Sequence, residues 1–366
     1  MSQAPAGWRA CLAELRLGQF VMVMGWSGLY FCVDKLEQLW GLDCIASLAI
    51  AWIDGVLFLG LCLGAILRLL TAPQSLIKEL REPLGLSASA AFAVAMVLFS
   101  RVLLTLANPE RKLQLPFVGE ETLRHEVFQN ASELIWYAGA GLELVISLTV
   151  VVILVNSWRQ KKAILSWVSP VMFIPAAGNV LVALAGVPLG HVTWSIAQFV
   201  LGLVLWPLVS CLLFLRIRKL GALPKMARPS WFIALSPPSV VGLSLLVFQA
   251  PSVWVWACWF LALVVLIKLL PILNEARQMP FSNGFWAFSF PLAAWCSLSI
   301  SMATHAMALW GGNGGWGSTQ PLASLALYVV HVGLGLLTMG VTLLLGWLSV
   351  QSLKRGLTAL RNSLSQ

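Results

Sequence analysis

Charge is the scarcest feature of this sequence. Asp, Glu, Lys and Arg make up 10% of its 366 residues, and histidine occurs four times. Soluble domains carry about 25% charged residues, so this composition excludes a soluble fold. The P-loop, GxSxG, HExxH and Rossmann fingerprints are also missing, which removes the usual signs of nucleotide binding and hydrolysis. We therefore predict a membrane protein without enzymatic activity.

Residues that hold metals and redox groups are equally sparse. The seven cysteines are scattered and form no CxxC pair, which favours small buried side chains over a metal or redox site. The four histidines are dispersed in the same way. We predict no cofactor and no metal site. A single haem between His305 and His331 stays open as an alternative, since both residues fall on adjacent predicted helices.

Long hydrophobic stretches are what the sequence does contain. Hydrophobic residues make up 59% of the chain, and the mean hydropathy is +0.87. Each stretch can cross about 30 Å of hydrocarbon at about 1.5 Å per residue. The predicted spans 1 to 10 cover residues 18–38, 44–70, 84–107, 131–157, 164–187, 191–215, 229–249, 252–273, 284–310 and 321–350. They form one all-α membrane domain, 18–350, between a cytoplasmic N-terminal segment, 1–17, and a cytoplasmic C-terminal tail, 351–366.

The basic residues predict the orientation of these spans. With the N-terminus in the cytoplasm, most of the 23 basic residues fall in cytoplasmic segments or at cytoplasmic span ends. Arg101 lies within a span, and four basic residues are assigned to the outer side: Lys35, Arg111, Lys112 and Arg124. This asymmetry follows the positive-inside rule and predicts that both termini are cytoplasmic. The net charge of +9 is therefore a signal of topology and of anionic lipid, and not of nucleic acid.

The odd-numbered spans differ in composition from the even ones. They concentrate small residues and helix breakers, among them Pro175 and Gly178 in span 5, Pro237 and Pro238 in span 7, and Pro291 in span 9. Small residues let helices approach closely, and prolines within spans are tolerated where water or neighbouring helices satisfy the backbone. The simplest arrangement is five helical hairpins, with the odd helices inside and the even helices outside.

Span 9 carries the sharpest pattern. Pro291 has no N–H, so we expect the carbonyl of Ala287 to lose its helical partner and the helix to bend there. At 100° per residue one face of this span holds Phe290, Ala294, Ser297, Ser301, Thr304 and His305. A ring beside a bend, at the head of a small and hydroxyl-bearing stripe, suits a constriction in a pore. Packing against a neighbouring helix is the alternative for the serines.

Ionisable residues within the spans are few and are functional candidates, because charge at bilayer depth is expensive. They are Asp54, Arg101, Glu143, His305 and His331. For Asp54, Glu143 and His331, which lie on presumed outer helices, we favour hydrogen-bonded bridges between helices. The presumed inner helices hold no acid within the spans, only Arg101 and His305. Such a wall disfavours cations and admits anions.

Three segments of the odd spans carry a family resemblance. They are the run from Ser169 to Asn179, the run from Arg228 to Pro238, and the run from Phe285 to Pro291. These segments resemble the fifth, seventh and ninth spans of the tellurite-resistance/C4-dicarboxylate transporter family, which also contains the plant slow-type anion channels. The resemblance covers about residues 18–350. Span 1 departs from the family pattern, since Val21 to Gly25 contains no proline.

The resemblance implies a fold and a gate. Family members form five helical hairpins in a quasi-fivefold array around a central pore, and the bacterial members form inner-membrane homotrimers with one pore per subunit. A phenylalanine of the ninth span occludes the pore, and by its match that residue is Phe290. The family conducts or transports chloride, nitrate, sulfite or dicarboxylates such as malate.

These observations predict a membrane channel or facilitator for small inorganic or organic anions, with Phe290 as the gate. The predicted pore-lining residues are Pro175, Gly178, Pro237, Pro238, Pro291, Ala294, Ser297 and Ser301. Arg101 and His305 are the predicted anion-linked or proton-linked residues. One alternative is a proton-coupled C4-dicarboxylate, sulfite or tellurite transporter, in which Asp54, Glu143 or His305 relays protons. Another is a membrane anchor that binds quinone or haem.

Overall fold

The computed structural model describes residues 12, 14–108, 121–160, 164–310 and 321–364, and this part of the chain contains helices and no strand. An α-helix lies at each of the ten predicted spans, and a short amphipathic helix, Pro73–Arg81, joins the second to the third. The ten are α1 (Val21–Trp40), α2 (Ile45–Thr71), α3 (Pro83–Ala107), α4 (Glu121–Arg159), α5 (Phe173–Gly186), α6 (Val192–Leu220), α7 (Ser236–Val247), α8 (Ser252–Ala276), α9 (Ser289–Trp310) and α10 (Pro321–Leu364).

Eight helical segments of the described chain are long and apolar enough to cross a membrane. The helices at predicted spans 1 and 5 are not among these eight. Helix α1 carries Asp34, Lys35 and Glu37 within its 20 residues, and α5 belongs to the shorter apolar helix Pro170–Gly186. The all-helical membrane fold is thus confirmed, and ten crossings stay a prediction.

Burial separates the odd helices from the even ones. In the most apolar window of each segment, 72% of the residues are buried for α3, 67% for the segment that contains α7 and 78% for the segment that contains α9. The corresponding values are 17% for α2 and α8, 28% for α6 and α10, and 33% for α4. Every residue of α5 is buried. Close packing of small residues explains this contrast, and the odd helices form the interior, as composition predicts.

The contacts between helices follow a regular order. Each even helix packs against the odd helix that precedes it. The odd helices also contact one another in sequence, α1 with α3, α3 with α5, α5 with α7 and α7 with α9, and α9 contacts α1. We call this closed series of neighbours the odd-helix ring. The even helices carry exposed apolar side chains such as Leu63, Val204 and Phe260, which suit a lipid environment.

The prolines of the ring occupy one recurring position. Helices α5, α7 and α9 each follow directly on a 3₁₀ helix, namely Pro170–Met172, Lys225–Leu235 and Asn283–Phe288. The third residue of each α-helix is a proline: Pro175, Pro238 and Pro291. In the first turn an N–H has no helical partner in any case, so proline removes nothing there. The expected bend at Pro291 within one continuous helix is therefore wrong, because the helix changes type just before it.

Two helices extend beyond their predicted spans. Helix α4 begins at Glu121, so part of the predicted loop before span 4 is helical. Helix α10 continues to Leu364, through most of the predicted C-terminal tail. Leucines recur in that tail at helical spacing, at positions 353, 357, 360 and 364, so the helical pattern continues beyond the end of the hydrophobic stretch.

Candidate functional site

A cavity of about 420 Å³ lies inside one end of the odd-helix ring. All five odd helices line it, as shown by Lys35 of α1, Arg101 of α3, Leu184 of α5, Leu243 of α7 and Ser297 of α9. We call this cavity the vestibule. Because every helix of the ring contributes, the vestibule lies on the ring's axis and not between the bundle and its surroundings.

A second cavity, of about 30 Å³, lies inside the same ring toward the N-terminal ends of the odd helices. Its lining again includes all five of them, with Met24 of α1, Val94 of α3, Ile174 of α5, Ser236 of α7 and Phe290 of α9. We call it the Phe290 cavity. This volume is sufficient for about two water molecules. The axis of the ring is therefore wide and polar at one end and nearly filled at the other.

Phe290 is the second residue of α9, and its side chain is only 4% exposed. Its ring faces a glycine of α1, because a methyl group added at Gly28 would lie 3.5 Å from Cδ2 of Phe290. The same methyl would lie 2.8 Å from Cβ of Ala293, which is closer than ordinary van der Waals contact. The missing side chain at Gly28 thus allows α1 to approach α9 and to hold the Phe290 ring beside the axis.

The predicted stripe on α9 connects the two cavities. Phe290 lines the smaller cavity, and Ser297 and Ser301 line the vestibule. Ser297 is the seventh residue after Phe290, which corresponds to a rise of about 10 Å along a helix axis. Ala294 lies between them on the stripe and is 3% exposed. One helix therefore presents a ring at one level of the axis and hydroxyl groups at another.

Sequence reasoning missed Lys35, which it assigned to the outer side of the membrane and not to the pore. The structure places this residue within α1, with its side chain in the vestibule. The ammonium group donates to Oγ of Ser297 at 3.0 Å, to the carbonyl oxygen of Ser297 at 3.4 Å, and to Oγ of Ser301. The signal was spacing, since Gly25, Gly28 and Lys35 share one face of α1, and this face packs on α9.

The charged residues of the vestibule give it a positive balance. Its lining holds two basic residues, Lys35 and Arg101, and one acidic residue, Asp34. Oδ2 of Asp34 accepts a hydrogen bond of 3.0 Å from the side-chain amide of Gln38, which also lines the vestibule. A cavity with an excess of positive charge between low-dielectric walls attracts anions.

The other predicted site residues divide into three groups. Gly178 and Pro291 line the Phe290 cavity. The remaining predicted pore residues are buried in the ring but do not line either cavity: Pro175, Pro237, Pro238 and Ala294. His305 is exposed and lies outside both linings. The roles of these residues in a pore stay predictions.

The carboxylates on the outer helices are buried and lie behind the ring. Asp54 of α2 accepts a hydrogen bond of 2.6 Å from the hydroxyl of Ser27 and so bridges α2 to α1. Glu143 of α4 lies against Gly178 and accepts a longer bond, 3.5 Å, from Ser147. Ser147 in turn accepts from the side-chain amide of Asn179 at 2.6 Å. His331 is also buried, on α10.

Among the residues that the structure describes, no group of three or more His, Cys, Asp or Glu side chains is placed to hold a metal ion.

A bundle of apolar helices that holds two cavities inside one helix ring, the larger with an excess of basic residues and the smaller nearly filled, has the features of a membrane channel or transporter. The comparison with known families is specific. Residues 14–350 match the SLAC1 family, described as voltage-dependent anion channel. The chain belongs to this family, and the resemblance to the tellurite-resistance/C4-dicarboxylate transporter family is thereby confirmed. The family consists of anion channels and transporters and not of enzymes.

Two plant proteins show similarity over part of the chain. S-type anion channel SLAH2 of Arabidopsis thaliana is 26% identical over 133 residues, which are 36% of this chain and 26% of the relative. S-type anion channel SLAH3 of the same plant is 26% identical over 137 residues, 37% of this chain and 22% of the relative. The chain thus matches about a quarter of the length of these relatives.

Proposed function

We propose that this protein is a membrane anion channel or facilitator that passes small inorganic or organic anions along the axis of the odd-helix ring, with Phe290 as its gate. The observation that carries the proposal is the position of Phe290, buried at the narrow cavity on the same helix face as the vestibule serines. An anion attracted into the vestibule meets this ring as it moves along α9. The ring must swing, or its helix must shift, before an ion can pass.

The proposal includes the setting of the pore. The five hairpins form a quasi-fivefold array, which the closed contact series of the odd helices supports. The protein is a homotrimer with one pore per subunit in a bacterial inner membrane, and both termini are cytoplasmic. The exposed apolar side chains of the even helices supply surfaces for lipid and for neighbouring subunits. In this orientation the vestibule opens to the periplasm.

The gate is tested by Phe290→Ala. The protein is reconstituted in planar bilayers, and chloride, nitrate, sulfite and malate currents are recorded at fixed voltage. We expect the anion current to rise by roughly tenfold or more, because removal of a ring that fills the path opens it.

The matched control is Phe288→Ala. This substitution also removes a phenyl ring from a buried position. Phe288, however, packs edge-on against Phe232, with ring centroids 4.5 Å apart, in a separate hydrophobic cluster. We expect no rise in current from this variant. A folded Phe290→Ala protein that conducts no better than the unsubstituted one, or an equal rise in both variants, contradicts the gate.

One structural observation favours a second candidate, a proton-coupled dicarboxylate, sulfite or tellurite transporter. Asp54 and Glu143 each keep one carboxylate oxygen that has no hydrogen-bond partner among the described residues. A buried carboxyl group of this kind is a candidate proton carrier. Uptake into liposomes separates the two functions, since uptake that follows the anion gradient alone supports the channel, and uptake that collapses with the pH gradient supports the transporter.

A further inference from the structure

The ammonium group of Lys35 is held entirely by the gate helix. A lysine has three N–H donors, and the three acceptors within reach are Oγ and the carbonyl oxygen of Ser297 and Oγ of Ser301. All three are neutral, and all three lie on α9. Among the ion pairs of the described residues, Lys35 takes no part. The hydrogen bonds of the ammonium group are therefore made to dipoles and not to a carboxylate.

Two of these neutral acceptors, Oγ of Ser301 and the carbonyl oxygen of Ser297, also bond to each other. The hydroxyl of Ser301 donates to the carbonyl of Ser297 at 2.9 Å, within α9 itself. The vestibule holds two other charged residues besides Lys35. One is Asp34, whose Oδ2 accepts a hydrogen bond from Gln38, and the other is Arg101. If the ammonium group withdraws, the hydroxyl of Ser301 thus keeps its hydrogen bond to the carbonyl of Ser297.

We infer that Lys35 is an anion-binding residue that exchanges partners, leaving Ser297 and Ser301 to bind the permeating anion in the vestibule. The inference rests on the proposed function, because it concerns the same path. The physical reason is competition. A full negative charge binds an ammonium group more strongly than a hydroxyl or a carbonyl does. The vestibule is large enough to admit a small anion.

The exchange has a consequence for the gate helix. Lys35 is the polar end of the contact between α1 and α9, in which Cys32 also donates to the carbonyl of Ala293 at 3.2 Å. When Lys35 turns to an anion, α9 loses its three bonds to this side chain. Binding of an anion in the vestibule thereby changes the hydrogen bonds of α9, the helix that carries Phe290.

Anion binding is measured on the full-length purified protein, with chloride as the probe and the rise in unfolding temperature as the signal. Gluconate of equal ionic strength is the reference. We expect Lys35→Met to weaken chloride binding by about tenfold and Lys35→Arg to preserve it, since arginine keeps the charge. The double variant S297A/S301A removes two competing hydroxyls, so we expect it to bind chloride about threefold more tightly.

The double variant separates anion binding from a purely structural role. If Lys35 served only to tie α1 to α9, loss of the serine hydroxyls would lower stability and leave chloride binding unchanged. That result, or unchanged binding in Lys35→Met, overturns the inference. Lys35→Gln, which retains polar donors without charge, replaces Lys35→Met if that variant does not fold.

Currents in the Phe290→Ala background separate this inference from the proposed function. If Phe290→Ala conducts anions and addition of Lys35→Met lowers the apparent chloride affinity, both stand. If Phe290→Ala conducts and addition of Lys35→Met changes neither affinity nor selectivity, the inference fails while the channel stands. If no variant conducts anions, the proposed function fails, whatever the binding measurement shows.

Discussion

The vestibule and the Phe290 cavity lie on the same five helices and differ in nearly every property. The vestibule measures about 420 Å³ and is lined by three charged side chains, whereas the Phe290 cavity measures about 30 Å³ and has no charged lining residue. A few helical turns along the same axis thus separate a region that can attract an ion from a region that can exclude it. In the proposed channel, charge selection and closure are therefore assigned to different residues at different levels of one path.

The first way to test this division is to remove charge from the vestibule without touching the ring. In the Phe290→Ala background, we expect Arg101→Met to lower the anion current by roughly tenfold, because a cation about 10 Å from the path contributes about 1.7 kcal/mol at an effective dielectric constant near 20. Arg101→Lys is the control and should retain most of the current. Bi-ionic reversal potentials provide the selectivity. Equal selectivity in Arg101→Met and its parent would contradict the electrostatic role of the vestibule.

A second prediction concerns the packing that holds the ring. Gly28→Ala adds a methyl group 2.8 Å from Cβ of Ala293, so α1 and α9 must move apart. We expect a loss of about 1–3 kcal/mol in the free energy of unfolding, as for other overpacked cores. Gly60→Ala on α2 is the matched control, since a methyl there meets nothing within 4 Å. Thermal unfolding in detergent compares the two variants. Equal melting temperatures would show that the contact between α1 and α9 accommodates the added methyl group.

The smallest effect is expected behind the ring. Asp54→Asn keeps an oxygen acceptor for the hydroxyl of Ser27, which bridges α1 to α2. For a channel we expect an unchanged anion current and unchanged dependence on pH, because Asp54 lines neither cavity. Uptake that loses its response to a pH gradient in this variant would instead place Asp54 in a proton pathway. Flux assays at matched and opposed pH gradients provide the measurement.

Periodicity and composition predicted much of this arrangement. The stripe on span 9 placed Phe290, Ser297 and Ser301 on one face, and the structure puts them at the two cavities. The small residues of the odd spans predicted their burial, because close helix packing depends on local side-chain volume. These features repeat along one helix, so a single sequence is sufficient to detect them.

Lys35 and the helix starts could not be predicted in the same way. A lysine near the end of a hydrophobic stretch resembles any interfacial charge, and its role depends on Ser297, which is 262 positions away in the chain. The proline pattern was visible, but proline in a hydrophobic run also fits a bend within a helix. Only the backbone shows that Pro291 follows a change of helix type.

That change of helix type gives the segment before Phe290 a screw-like geometry. A 3₁₀ helix rises about 2.0 Å and turns about 120° per residue, and an α-helix rises about 1.5 Å and turns about 100°. If the six residues of Asn283–Phe288 rewound to an α-helix, the segment would shorten by about 3 Å and its far end would rotate by about 120°. The indole N–H of Trp286 donates to Oγ of Ser352 at 3.0 Å, and this bond ties the 3₁₀ segment to α10. A change in the winding of these six residues would therefore rotate the start of α9, where Phe290 lies.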